Sequence, residues 1–390
     1  MHLGRFNYVT SLAKSYYENN ALLATIDQVI ALLQAYIATP NIETSKAFHS
    51  KIDLLLDACA EMPTGYNAAS FKHIVADTGG EKYFGNGLED SLREILEKQS
   101  MTPADMLVNL QNYRKSIGVY VAAITTISDT LKGMGVESEI LLSGQFEFGA
   151  MFPKKLTGET IADIQGELEH LDRLFKTLNE LMGNGVKSPT VKNISSSWWQ
   201  FFIDLNCNQI AAITFALERI VALYKSNLEI QKLKRDAEKN ELGADFAELI
   251  TNKIDAKIKN GMIEIAKEIR GQFQSNKDTG RCNELEIQLR MELVHIARRI
   301  NQGAAYEIRA GLPTKPKELT EPEKTNQEAL VKHAEETRAF EEKRRIANDT
   351  NSAGLRVATA IEEIKGETQL LTDYEKLTKG LDEKLTGQLA

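Results

Sequence analysis

Two pairs of residues have a spacing that could do chemistry: Glu167 with His170, and Glu292 with His295. Each is an ExxH pair inside a stretch of helical periodicity. Two such motifs on facing helices, joined by two more glutamates, make the metal site of carboxylate-bridged di-iron bundles. These four residues are therefore the candidate metal ligands, and a metal-binding helical enzyme is one reading of the chain. The register argues against it. The stripe around the first pair is Ile164, Leu168, Leu171 and Phe175, and at about 100° per residue Glu167 lies about 60° from its centre and His170 about 120°. The second pair has the same offset from the line of Leu289 and Ile296. Both pairs are thus expected toward solvent, as charged points of amphipathic helices. The neighbouring acids Glu169 and Asp172 read as a solvated face too.

Other motifs carry less. "TGGEKYFGNG" is rich in glycine but lacks the GxxxxGK[ST] or GxGxxG order that cradles phosphate, so it reads as a surface loop. No HExxH or GxSxG spacing surrounds the six histidines or the serines. The run Ser195, Ser196, Ser197 suits helix capping better than nucleophilic catalysis. Cys59, Cys207 and Cys282 lie far apart with no metal-ligand spacing, which points away from disulfides and structural zinc and fits a cytoplasmic setting. No cofactor is implied.

The bulk composition narrows the partners. A net charge of −8 disfavours a general binder of phosphate backbones. The mixed-sign runs "KLKRD" (232–236) and "EEKRR" (341–345) read as solvated helix faces. Neither a signal peptide nor a membrane-spanning run is expected, since Asp204, Asn206, Asn208, Gln209, Glu218 and Arg219 interrupt the apolar stretch from Trp198 to Tyr224.

The elements that must hold these residues are mostly helical. Leu22, Leu23, Ile26, Val29, Ile30 and Leu33 predict a helix stopped by Pro40, and a second spans about 42–61. "FKHIVADTGGEKYFGNG" reads as a loop before a helix at 88–96. Thr102 and Pro103 start a long helix reaching about Lys132. Phe146, Phe148, Ala150 and Phe152 alternate with Gln145, Glu147, Gly149 and Met151, the period of a strand. Thr157 caps a following helix near Gly158, and "PTVKNIS" gives a second strand. This outline is a βαβ unit with parallel strands. Further helices are expected from Gln209, over 244–273 and over 283–305. A proline-rich linker then leads to a hairpin of two helices, one ending near 349 and one starting near 353.

"SSSWWQFFIDL" concentrates both tryptophans. Read as a helix over 198–205, it is apolar on more than one side, so it is either a domain seam or a surface completed by a partner. Trp198, Trp199, Phe201, Phe202 and Leu205, with Phe146 and Phe148 of the strand, are the interface candidates.

The stretch from about 144 to 236 holds "GQFEFGAMFPKKLTGETIADIQGELEHLDRLFKTLNELM", "VKNISSSWWQFFIDL" and "ERIVALYKSNLEIQKLKRD". It resembles a module of uncharacterised bacterial proteins: strand, long helix, second strand ending in serines, apolar helix, charged exit helix. The resemblance implies no activity. Some such modules belong to bacterial conflict and antiviral systems, which implies an adaptor role there. The sequence thus predicts a mainly α protein in four parts: a helical domain over 1–135, a small α+β segment over 136–205, a long helical region over 206–311, and a linker with a hairpin over 312–390. The function expected is non-enzymatic protein interaction or assembly, with a protein partner or further copies of itself. A membrane-active effector that exposes 198–224 is the remaining alternative.

Overall fold

The structure, a computed structural model, describes residues 3–60, 68–97, 102–158, 160–195, 198–239, 244–316 and 327–387. It is mainly α, with one four-stranded sheet, and divides into two units, Met1–Ile140 and Leu141–Ala390. The segments expected as 136–205, 206–311 and 312–390 thus fall, beyond residue 140, in one unit.

The first unit is a helical bundle: α1 (Leu3–Asn19), α2 (Leu22–Ala38), α3 (Ile42–Ala60), α4 (Ala69–Asp77), α5 (Gly85–Leu96) and α6 (Pro103–Gly133). Leu22, Ile26, Val29 and Leu33 supply the buried face of α2, as the periodicity predicts. Tyr16, Tyr17, Phe71 and Phe84 form an aromatic centre, where Tyr16 donates to the Cys59 carbonyl at 2.9 Å. Thr102 caps α6, its hydroxyl accepting from the Asp105 amide at 3.2 Å. The expected loop over 71–87 is corrected: Phe71, Ile74 and Val75 place α4 on the core, and α5 begins at Gly85 rather than at 88.

The second unit is built on strands β1 (Phe146–Phe152), β2 (Thr190–Ser195), β3 (Trp199–Leu205) and β4 (Ala305–Ala310), in the order β2-β3-β1-β4. The sequence reading needs three corrections here. All three pairings are antiparallel, so β1 and β2, both running against β3, are parallel to each other as expected, but they do not pair: β3 lies between them and splits the βαβ unit. The aromatic segment is β3, not a helix, with Phe148 facing Ile203 and Phe152 facing Trp199 in register. A segment apolar on both sides suits a central strand buried on both faces as well as it suits a buried helix, and the three residues between Ser195 and Trp199 permit only a reversal. Third, the expected helix over 283–305 stops at Asn301, Gly303 turns the chain at φ 97°, and β4 follows.

One sheet face, with Phe148, Phe152, Phe201, Ile203, Tyr306 and Ile308, packs on α8 (Ile161–Leu181), α9 (Cys207–Lys239) and α11 (Thr279–Asn301). The short α7 (Lys154–Thr157) precedes α8, whose N-cap is Thr160, not Thr157 as expected. Helix α10 (Ala244–Phe273) packs beside α9 and α11. The expected C-terminal hairpin is instead one helix, α12 (Gln327–Gly387), because Asn351, Ala353 and Gly354, which read as a break, are where it docks. Asn351 grips the edge of β4 from both sides of its amide, accepting from the Ala310 N–H at 2.8 Å and donating to its carbonyl at 3.0 Å. Gly354 lies so close to Ile308 that a Cβ there would sit 2.6 Å from its carbonyl oxygen. A small residue is required at that crossing.

Among the described residues no single helix is long and apolar enough to cross a membrane; α1 and α2 pass such a test only as a pair bent by 41°.

Candidate functional site

Local sequence sets the register of the first ExxH helix. Thr160 and Asp163 form a reciprocal capping box: the Asp163 amide donates to Thr160 Oγ1 at 3.2 Å, and the Thr160 amide to Asp163 Oδ2 at 3.0 Å. With α8 started there, Leu171, Leu174, Leu178 and Leu181 face the sheet, while Ile161 is exposed and Ile164 and Leu168 are only half-buried. The inward stripe is therefore rotated from the one the sequence suggested. Glu167 stands about 40° from Leu171 and faces inward. The expectation of solvent-facing pairs is corrected: Glu167 is 3% exposed and Glu292 4%. The stripe of α11, Leu285, Leu289, Leu293, Ile296 and Ile300, carries Glu292 with it.

The two helices bring the pairs together in a reciprocal clasp. His170 Nδ1 lies 2.7 Å from Glu292 Oε2, and Arg173 Nε donates to Glu292 Oε1 at 2.9 Å. In return His295 Nε2 lies 3.0 Å from Glu167 Oε2, and Arg299 Nη2 donates to Glu167 Oε1. The two imidazoles stack at 3.6 Å between centroids, 14° from parallel. An ionised carboxylate only accepts, so Nε2 of His295 carries the proton it gives Glu167, whereas Nδ1 of His170 lies between an acceptor, Glu292 Oε2, and a donor, Arg173 Nη2 at 3.0 Å. Burial raises the Glu167 carboxyl, but the hydrogen bonds and charges of His295 and Arg299 more than reverse this and hold it below the usual carboxylate range.

This arrangement determines what the cluster can hold. Each carboxylate already has one guanidinium and one imidazole, one partner per oxygen. A divalent cation would have to displace both arginines and then sit beside them, at a cost that Coulomb repulsion in a buried site makes large. Among the described residues no group of three or more His, Cys, Asp and Glu side chains is placed to hold a metal ion. Beside the clasp lies a cavity of about 10 Å³ bounded by Phe152, Leu171, Leu174, Ile296 and Tyr306 together with both Glu–His pairs. Tyr306 is 1% exposed, and its phenol is raised by burial and by the charge of Glu167.

The aromatic interface candidates have other positions. Phe201, Phe202 and Phe148 are 0–1% exposed, and Phe146 and Leu205 are buried, so these five are sheet core. Their assignment to an interface is corrected, because strand alternation sends Phe201 and Leu205 to one covered face and Phe202 to the other. Trp199 is half-buried, its indole Nε1 donating to the Gly158 carbonyl at 3.2 Å beneath Lys154. Trp198 is half-buried under Lys365. Ser195 is a strand residue, and Ser196 and Ser197 lie outside the described residues. The "EEKRR" run is exposed on α12, as expected, while the side chains of "KLKRD" beyond Lys232 lie outside those described.

Sequence reasoning missed Arg173, Arg299 and Tyr306. A signal existed for the first two: each ExxH continues into an arginine, three residues on from His170 and four from His295. A second charged group was also missed, on the opposite sheet face. There Glu147, 1% exposed, lies 3.6 Å from Lys192 Nζ and 3.8 Å from Arg309 Nε, with Glu307 beside Arg309.

The fold and clasp define a helical protein with a charge-locked core pair. Comparison of the chain with family models, curated proteins and solved structures finds no match.

Proposed function

We propose that this chain is a protein-interaction or assembly subunit that presents α12 to other polypeptide. The observation that carries this is the helix itself. Its 61 residues extend about 90 Å at 1.5 Å each. Among its described side chains, those from Ala347 to Ile364 supply the buried ones, against α9 and β4. From Leu330 to Arg345 most side chains are exposed, including Leu330 at 44% and Val331 at 55%, with His333, Thr337 and Phe340 half-buried at helical spacing. A rod mostly charged with a few apolar points suits a coiled-coil-like contact with another helix. The likeness of residues 144–236 to bacterial conflict-system modules extends this reading to an adaptor in such a complex.

The test is the mass of the full chain in solution by light scattering. The paired substitution Leu330→Lys and Val331→Lys should shift an assembled species toward monomer, or abolish capture of a partner if the native protein is monomeric alone. Unchanged assembly and unchanged partner capture would remove the proposal.

A further inference from the structure

The two edges of the sheet differ. At one, Asn351 of α12 takes up the N–H and the carbonyl of Ala310 on β4. At the other, β2 comes last in the strand order and pairs, among the described strands, with β3 alone. Val191 and Ile194 on β2 are 43% and 53% exposed. An edge strand turns N–H and C=O groups outward as a template for another strand, and lysine is a common guard against this. Lys192 does not stand guard, because its ammonium reaches inward to the buried Glu147 carboxylate at 3.6 Å.

A bulge decides what fits this edge. Val191 pairs with Ile203, Asn193 with Phe202 and Ile194 with Phe201, so Lys192 is the extra residue. Opposed residues of an antiparallel pair share a sheet face, which puts Val191 and Ile194 together on the face of Phe201 and Ile203. Lys192 and Asn193 lie on the other face, with Glu147 and Phe202. In a regular strand, residues three apart would point to opposite faces. Here the face pattern of residues 191–194 reads the same in both directions. We propose that the β2 edge binds the β2 edge of a second copy of this chain, antiparallel, about a two-fold axis between Lys192 and Asn193. Each Val191 then opposes the other copy's Ile194, and each Lys192 the other copy's Asn193, so no like charges meet. An axis through Lys192 would set lysine against lysine, and one through Asn193 would oppose Ile194 and Lys192, which lie on different faces. The contact joins two four-stranded sheets into one, with α12 at both outer edges. It is separate from the contact proposed for α12.

β2 has six residues, about 20 Å of strand, and buries much less than the roughly 800 Å² per partner of a standard interface. The dimer therefore depends on concentration, and a covalent trap reads it best. Full-length Val191→Cys and Ile194→Cys chains, each also carrying Cys207→Ser to remove the exposed thiol, are mixed under mild oxidation. Both positions are exposed, so the fold tolerates either cysteine. Opposed residues bring their Cα atoms within about 5.5 Å, inside disulfide reach, whereas two copies of the same position lie roughly 10 Å out of register. The mixture should give a disulfide dimer that neither chain forms alone. No dimer in the mixture, or equal cross-linking of a single-position chain, would overturn the proposal. The same dimer should form when both chains also carry Leu330→Lys and Val331→Lys. Its loss there would assign the association to α12 and equally reject pairing through β2.

Discussion

Replacing Glu167 by Gln tests the clasp most directly. The substitution keeps shape and removes one charge, leaving Arg299 and His295, whose side chains are only 17% and 15% exposed, facing a neutral amide. Breaking a buried pair by removing one partner costs about 3–5 kcal/mol. The residual exposure of Arg299 lets it regain some water, which places the loss near 3 kcal/mol, about two orders of magnitude in the unfolding constant. Both tryptophans lie in the 141–390 unit, so their fluorescence in urea follows that unit without the other. Glu169→Gln on the exposed side of the same helix is the control, with a change within about 0.5 kcal/mol. The pH dependence carries the same information. A carboxyl lowered in the folded state contributes stability that is full above its unfolded value, about 4.3, and is lost as pH falls through the folded one. The native unit should therefore weaken below about pH 4.5, and the Glu167→Gln variant should weaken less over that range. A Glu167→Gln midpoint indistinguishable from the Glu169→Gln control would refute the idea that the clasp holds α8 to α11.

Two further outcomes follow from the packing. Gly354→Ala should push α12 off β4, because its Cβ would meet the Ile308 carbonyl at 2.6 Å, and should destabilise by about 1–3 kcal/mol in the same urea assay. Of the three cysteines only Cys207 is exposed; burial pushes the Cys59 thiol up to about 12 and Cys282 is buried beside the Asn276 carbonyl. A thiol reagent at pH 8 should therefore label one cysteine of the native chain quickly, and Cys207→Ser should remove that reaction.

Much of the helical framework was legible in the residues alone. The stripes of α2 and α3, the Thr102 cap of α6 and the span of α10 follow from spacing and end signals, which act over a few residues. The alternation in β1 likewise marked a strand. Its neighbours were not legible. β3 is apolar on both faces, so no period distinguishes it from a buried helix, and β4 is six residues with no long signal of its own. The direction of pairing depends on which strands meet, and that is a property of the whole sheet.

The candidate site divides the same way. Sequence alone determined that two ExxH pairs exist and ride on amphipathic helices. Only tertiary structure decided that they meet, that each glutamate is claimed by the other helix's histidine and arginine, and that α12 continues through Asn351 and Gly354 instead of turning back. The physical reason is range. Helix propensity and capping are local, whereas the burial of Glu167 depends on a rotation of α8 by a fraction of a turn, set by what Leu171, Leu174 and Leu178 find to pack against.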